Sequence, residues 1–114
     1  MTLQECYAAF GGDYNDVSRR LGDDAMIERF LRRVPEDPTY TELLAAMEEH
    51  RDEDAFRAAH TMKGFCLTLG IKKLGESTSV LTEQLRNGRM PEADGQLEKM
   101  KEDFILTSEM IGKL

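Results

Sequence analysis

Apolar residues recur every three or four positions along most of this chain, and this spacing constrains the fold more than any other feature. In residues 23–34 the recurring apolar side chains are Met26, Ile27, Phe30, Leu31 and Val34. Such spacing places the apolar side chains on one face of an α-helix. No segment sustains the two-residue alternation of a half-buried strand, so we expect an all-α protein without a sheet.

Capping residues and helix breakers divide the chain into successive helices. Thr2 followed by Glu5 has the pattern of a capping box, and Gly11–Gly12 ends that first short helix. Asp37 and Asp52 are predicted N-caps of later helices, because a carboxylate can accept the free N–H groups at a helix start. The predicted helices cover roughly residues 2–10, 13–22, 23–34, 38–50, 52–70, 71–87 and 91–111.

The three C-terminal helices are long, and the links between them are short. Each is predicted to have about 16 to 21 residues, or about 25 to 30 Å of length. Short links between long helices force antiparallel neighbours. With the segment around 23–50 as a fourth wall, we predict an up-down antiparallel four-helix bundle over about residues 23–112. Short N-terminal helices over about residues 2–22 would cap one end, giving a single domain over residues 1–114.

Composition argues against several classes of function. The formal net charge is −7, whereas a protein that binds nucleic acid needs a basic face. No apolar run has the length of a membrane span, and the N-terminal sequence lacks the basic and apolar regions of a signal peptide. Two cysteines are too few for a disulfide framework. We therefore expect a soluble, monomeric protein in the reducing cytoplasm.

The segment 52–70 carries a histidine on the outer side of its predicted helix. The apolar stripe that would face the core consists of Ala55, Ala59, Met62, Cys66 and Leu69. His60 lies about 140° from the centre of that stripe, so its ring is predicted to face solvent at mid-helix. Gly64 lies nearly opposite the stripe, where a glycine that costs the helix about 1 kcal/mol has no packing role.

The residues around His60 suit the transfer of a phosphoryl group. A neutral imidazole can attack phosphorus and form a covalent intermediate. The ammonium group of Lys63 can donate hydrogen bonds to phosphoryl oxygens. Gly64 leaves room for the active site of a partner, while Phe56 and Leu67 offer a docking protein apolar surface to bury.

The sequence around this histidine has a distinctive spacing of residue types. Residues 60–64 read His-Thr-Met-Lys-Gly, and Gly70 follows after five intervening residues. This pattern resembles the H-x-[LM]-K-G-x5-G signature of histidine phosphotransfer (HPt) domains. The preceding Phe-Arg-Ala-Ala and the following Leu74 and Leu81 also fit the family, so the resemblance covers roughly residues 52–86. The chain is similar to a bacterial stand-alone HPt protein.

The resemblance implies a four-helix bundle that is phosphorylated on His60. It implies exchange of the phosphoryl group with the aspartate of a response-regulator receiver domain, or with a hybrid histidine kinase. Lys63 would assist the transfer, and Gly64 would keep the site accessible. The chain would be a phosphocarrier without autonomous catalysis or a cofactor of its own, and Mg²⁺ would be bound by the receiver domain.

The docking surface is expected to consist of exposed residues on both sides of the histidine. These residues are Phe56, Arg57, Thr61, Leu67 and Thr68. Two positions depart from the family pattern: many relatives have a small or polar residue where this chain has Phe65, and often Asn where it has Thr68. Phe65 is expected at the edge of the bundle. Both changes leave the nucleophile in place and bear on the choice of partner.

Other functions fit parts of the sequence. A phosphate-independent helical adaptor would bind a signalling partner through the face of Phe56 and Leu67, and acid-labile labelling would distinguish a carrier from an adaptor. A metal site has too few suitably spaced ligands, since no H-E-x-x-H or C-x-x-C pattern is present. The soft ligands considered are Cys6, His50, His60 and Cys66. A helical DNA-binding module is disfavoured by the acidic charge.

Overall fold

A computed structural model describes all 114 residues, Met1–Leu114, and contains seven helices and no strand. The helices are α1 (Leu3–Ala9), α2 (Tyr14–Leu21), α3 (Asp24–Arg33), α4 (Thr39–Glu48), α5 (Asp52–Leu69), α6 (Lys72–Leu85) and α7 (Ala93–Gly112). The predicted all-α class is confirmed. All seven helices fall short of the combined length and apolarity that crossing a membrane requires.

The bundle consists of α3, α4, α5, α6 and α7. α5 packs against α6 and α6 against α7, while α4 lies along α5. α3 contacts both α5 and α7 and so closes the bundle. One continuous core draws apolar side chains from all seven helices. α5 and α7 have the predicted lengths at 18 and 20 residues. α6 has only 14, because Ile71 is still extended and the helix ends at Leu85.

The helix starts follow local capping chemistry, with two corrections. The N-cap of α4 is Pro38 and not Asp37, although the carboxylate of Asp37 accepts the backbone N–H of Thr39 at 2.8 Å. Thr2 and Glu5 form the predicted capping box, and the carboxylate of Asp13 accepts the backbone N–H of Asp16 at the start of α2. The prediction that Asp52 is an N-cap is wrong, because Asp52 is the first helical residue and no side chain caps α5. Its carboxylate is turned instead toward an arginine in the link between α6 and α7.

That arginine is Arg89, which lies in the link between α6 and α7. It connects this link to the one between α4 and α5, at the end of the bundle where α5 begins. Its Nη1 donates to the backbone oxygen of Met47 at 3.0 Å and lies 2.9 Å from His50 Nδ1. It also contacts Asp52 and Asp94 at 3.3 and 2.5 Å. The side chain is only 14% exposed, so this end is held by a largely buried cation with several acceptors.

The opposite end of α5 is covered by α1 and α2, as predicted for the short N-terminal helices. The Tyr7 hydroxyl donates to the backbone oxygen of Leu69 at 2.6 Å, and Arg20 Nη1 donates to that of Thr68 at 2.9 Å. These are carbonyls of the last helical turn, which have no partner within the helix itself. Residues far apart in the chain therefore fix the end of the helix that carries His60.

Candidate functional site

α5 has a buried inner face and an open outer face. The inner residues predicted from helical rotation are all buried, namely Ala55, Ala59, Met62, Cys66 and Leu69. His60 is exposed in the middle of the helix. The prediction that its ring faces solvent is therefore confirmed.

The imidazole of His60 makes no hydrogen bond to any other residue of the protein. The ring of Phe56 lies one helical turn earlier, with the two ring centroids 5.9 Å apart and the planes tilted by 41°. In its neutral form an imidazole presents one nitrogen lone pair as an acceptor or nucleophile. No group of this chain occupies that lone pair, so it is free for an incoming electrophile.

Gly64 lies one turn after His60 and faces open space. A Cβ atom at this position would meet nothing within 4 Å, so close helix packing does not require the glycine. Lys63, the preceding residue, is partly exposed on the side of α5 that faces α6. A long cationic side chain and an open surface therefore lie beside the free imidazole.

The end of α6 contributes a charged pair beside this site, with Glu83 in its last turn and Arg86 directly after it. Arg86 donates from Nε and Nη2 to the two carboxylate oxygens of Glu83 at 2.9 and 2.8 Å. Its guanidinium also lies 5.1 Å from the centroid of the Phe56 ring. The hydrogen bonds from Arg86, with smaller contributions from the charges of Lys63 and His60, hold the pKa of Glu83 below its usual value.

Glu83 and Arg86 were not among the predicted site residues. Their spacing of three residues on one helix is a signal for an ion pair between them. Nothing in that spacing shows which face of α6 they occupy relative to α5, because that depends on how the two helices pack. The pair therefore becomes visible as part of the site only in the folded structure.

The residues predicted to form the docking surface have different degrees of exposure. Leu67 is 67% exposed, which is high for a leucine. Arg57, Thr61 and Thr68 are also exposed. Phe56 is partly buried beneath the guanidinium of Arg86. The structure thus brings these residues around His60 on one open surface of α5, with Phe56 as the least accessible member.

The residues considered as metal ligands do not come together. Both cysteines are buried, with Cys66 on the inner face of α5 and Cys6 in α1. His50 contacts Arg89, and His60 is on the outer face. No group of three or more His, Cys, Asp or Glu side chains is placed to hold a metal ion.

A comparison with protein families agrees with this geometry. A family model described as Hpt domain matches residues 25–110. The chain belongs to the Hpt domain family. The matched residues include the whole of α4, α5 and α6, whereas α1 and α2 precede them. No curated protein and no solved structure gives a match.

Membership in this family gives the site a general role. Hpt domains are phosphotransfer carriers rather than classical enzymes, and they act through histidine in phosphorelays of two-component signalling. In this chain the matched region contains both histidines, of which His60 is exposed on α5 and His50 contacts Arg89.

Proposed function

We propose that His60 accepts a phosphoryl group from the phosphorylated aspartate of a receiver domain and can return it. The observation that carries this proposal is the free, exposed imidazole of His60 beside Gly64, where a Cβ atom would meet only open space. A partner's active site has to reach the nucleophile, and a glycine one turn away on the same face leaves room for that approach.

In the transfer step a neutral ring nitrogen of His60 attacks the phosphorus atom of the aspartyl phosphate. A P–N bond forms, the P–O bond to the aspartate breaks, and the aspartate carboxylate leaves with the electron pair. The second ring nitrogen keeps its proton during this step, so the phosphorylated ring carries a positive charge. The reverse reaction returns the phosphoryl group to the aspartate through the same arrangement.

The carrier and the receiver domain each contribute further groups to the transfer step. The ammonium group of Lys63 is near enough along the helix to neutralise part of the phosphoryl charge. The receiver domain supplies the aspartate, the Mg²⁺ ion and most of the electrostatic stabilisation of the transition state. The carrier needs only an accessible nucleophile on a rigid helix, and it acts as a monomer in the cytoplasm.

The decisive test is labelling by a receiver domain that has been phosphorylated with radioactive acetyl phosphate. The wild-type protein is expected to take up an acid-labile label, because phosphoramidates hydrolyse in acid. His60→Gln is expected to take up none, since an amide is not a nucleophile for this transfer. Gel autoradiography before and after acid treatment measures both results.

The chain offers a matched control in its only other histidine. His50→Asn keeps a residue that tolerates the positive φ of 54° found there, and it should label like the wild type. Equal labelling of wild type and His60→Gln would remove His60 from the mechanism. Binding of the receiver with no label in either protein would instead favour the phosphate-independent adaptor.

A further inference from the structure

We infer that Arg86 is a positioning residue for the phosphotransfer reaction. It keeps the ring of Phe56 in place against the imidazole of His60, and this limits the directions in which the nucleophilic nitrogen can point. The inference rests on the proposed function, because it concerns how His60 meets the phosphorus atom of the receiver. Arg86 acts through Phe56 and touches neither the receiver nor the phosphoryl group.

The orientation of His60 depends on packing alone, because its exposed imidazole forms no hydrogen bond within the protein. In a helix, aromatic side chains point back over the residues three and four positions earlier. For His60 these residues are Arg57 and Phe56. Arg57 is paired with the carboxylate of Asp54, and its side chain is 68% exposed. The ring of Phe56, with its centroid 5.9 Å from that of the imidazole, is therefore the surface against which His60 lies.

The ring of Phe56 is itself held in place by two groups. It is partly buried against the core, and the guanidinium of Arg86 lies 5.1 Å from its centroid. A cation over the face of an aromatic ring is attracted by the negative charge of that face. Because Arg86 directly follows the last residue of α6, this contact ties the ring on α5 to the neighbouring helix.

Glu83 fixes the guanidinium that covers Phe56. Arg86 donates from Nε and Nη2 to the two carboxylate oxygens of Glu83, and this bidentate arrangement sets the direction of the guanidinium as well as its position. The carboxylate is also close enough to His60 for their charges to interact. It therefore offsets the positive charge of Arg86 beside the phosphorylated ring.

A limited set of imidazole orientations favours a donor that arrives from a fixed direction. The phosphorus atom of a docked receiver has to lie in line with the attacking nitrogen, so a ring that points elsewhere does not react. An exposed histidine on a helix has about two accessible χ1 wells, and its ring can also turn over within each of them. Keeping the ring in one of these arrangements therefore raises the rate by about twofold to fourfold.

The test measures transfer from a receiver domain, phosphorylated with acetyl phosphate, at increasing receiver concentration. Arg86→Ala should lower the maximal rate by about twofold to fourfold, while the receiver concentration at half-maximal rate stays within about 1.5-fold of the wild-type value. Phosphoramidate, a small donor that can approach the ring from any side, should label Arg86→Ala and the wild type equally fast. Arg86→Lys keeps a cation for Glu83 and for the ring, so it should retain more than about half of the maximal rate.

Arg51→Ala is the matched control for the loss of an ion pair. Arg51 binds Asp54 at 2.8 Å, as Arg86 binds Glu83, and the two arginine side chains are 45% and 44% exposed. Each arginine flanks one end of a helix, but only Arg86 lies over an aromatic ring. Arg51→Ala should therefore leave the maximal rate within about 1.5-fold of the wild type, although urea unfolding should show similar small losses of stability for both variants.

The orientation of the imidazole can also be measured without a donor. NMR of the unphosphorylated protein reports the ring-current shift that Phe56 causes at the ring protons of His60, and Phe56→Leu gives their shift without an aromatic neighbour. In Arg86→Ala the shift should lie between those of the wild type and Phe56→Leu. Arg51→Ala should keep the wild-type shift.

The outcomes distinguish this inference from the proposed function. If the receiver labels the wild type but Arg86→Ala leaves the His60 shift unchanged, the positioning role is rejected and the role of His60 stands. A higher receiver concentration at half-maximal rate, with an unchanged maximal rate, would also reject it, because Arg86 would then contact the receiver. If no receiver labels the wild type, the proposed function fails and the inference fails with it.

Discussion

Gly64 and Gly70 lie six residues apart, in the middle of α5 and at its C-terminal end, and their surroundings differ sharply. A Cβ atom at Gly64 would meet nothing within 4 Å. At Gly70 it would lie 2.4 Å from Val17 Cγ2, and the backbone there has a φ of +67°. The first glycine leaves room outside the protein, whereas the second allows a left-handed turn and close packing inside it.

This difference separates two requirements of a carrier helix. The middle of α5 stays open for a visiting protein, even though a glycine there costs helix stability. The end is held firmly by α1 and α2, through the Tyr7 hydroxyl and the guanidinium of Arg20. A nucleophile on a rigid element is positioned more precisely than one on a loop. Fixing the C-terminal end of α5 therefore helps to keep His60 in position on the open part of the helix.

The largest expected effect is on stability at the closed end. Gly70→Ala should lower the free energy of unfolding by about 3 kcal/mol, because it adds left-handed strain and an overpacked methyl group. Urea denaturation measures the change. Gly95→Ala, at a helical position where a Cβ would meet nothing within 4 Å, is the matched control and should not destabilise the protein. A Gly70→Ala protein as stable as the wild type would show that the two glycines are equivalent.

The second effect concerns transfer at the open position. Gly64→Gln should make the protein more stable by up to about 1 kcal/mol, because glycine is a poor helix former. It should also slow transfer from a phosphorylated receiver by roughly tenfold to a hundredfold, because the side chain displaces the partner. Gly64→Ala should give the same stabilisation with a smaller loss of rate. An unchanged rate with Gly64→Gln would show that access is not the role of this glycine.

The smallest expected effect is on the rate of thiol reaction, which differs between the two faces of α5. Burial raises the pKa of the Cys66 thiol to about 12 and that of the Cys6 thiol to about 11. Since the thiolate is the reactive form, neither should react quickly with Ellman's reagent at pH 8 in the folded protein. A thiol added by Gly64→Cys should react rapidly. Rapid reaction of the native thiols without denaturant would contradict the burial of the inner face.

The raised pKa values of the two thiols also predict how the stability of the protein changes with pH. Thiols of the unfolded chain ionise near their ordinary pKa of about 8.5, while the buried thiols stay neutral. The stabilisation is therefore fully present below about pH 8.5 and is lost as the pH rises toward the folded values. Urea midpoints at pH 7 and pH 10 test this, with Cys66→Ala as the comparison.

Features within one helix could be predicted from the sequence, because helical rotation fixes the angles between neighbouring residues. The buried stripe of α5 and the exposure of His60 follow from that rule and are confirmed. The capping role assigned to Asp52 failed, because a distant arginine attracts its carboxylate. Local rules do not include such long-range partners.

Features that depend on two helices could not be predicted. Glu83 and Arg86 reach the site only because α6 turns this face toward α5. Phe30 and Phe65 line one pocket only because α3 packs beside α5. The signature also contains two glycines without distinguishing their purposes. The positive φ of Gly70 and the packing of Val17 against it distinguish this glycine from Gly64.

α1 and α2 cover the C-terminal end of α5, and this limits where the chain can be truncated. The family match begins at residue 25, after the two short helices that supply Tyr7, Val17 and Arg20. A fragment limited to the matched residues would expose the apolar surface around Gly70 to water. It would also leave the backbone carbonyls of Thr68 and Leu69 without their hydrogen-bond donors. Family limits mark what relatives share, and in this chain the helices that cover the end of α5 lie upstream of those limits.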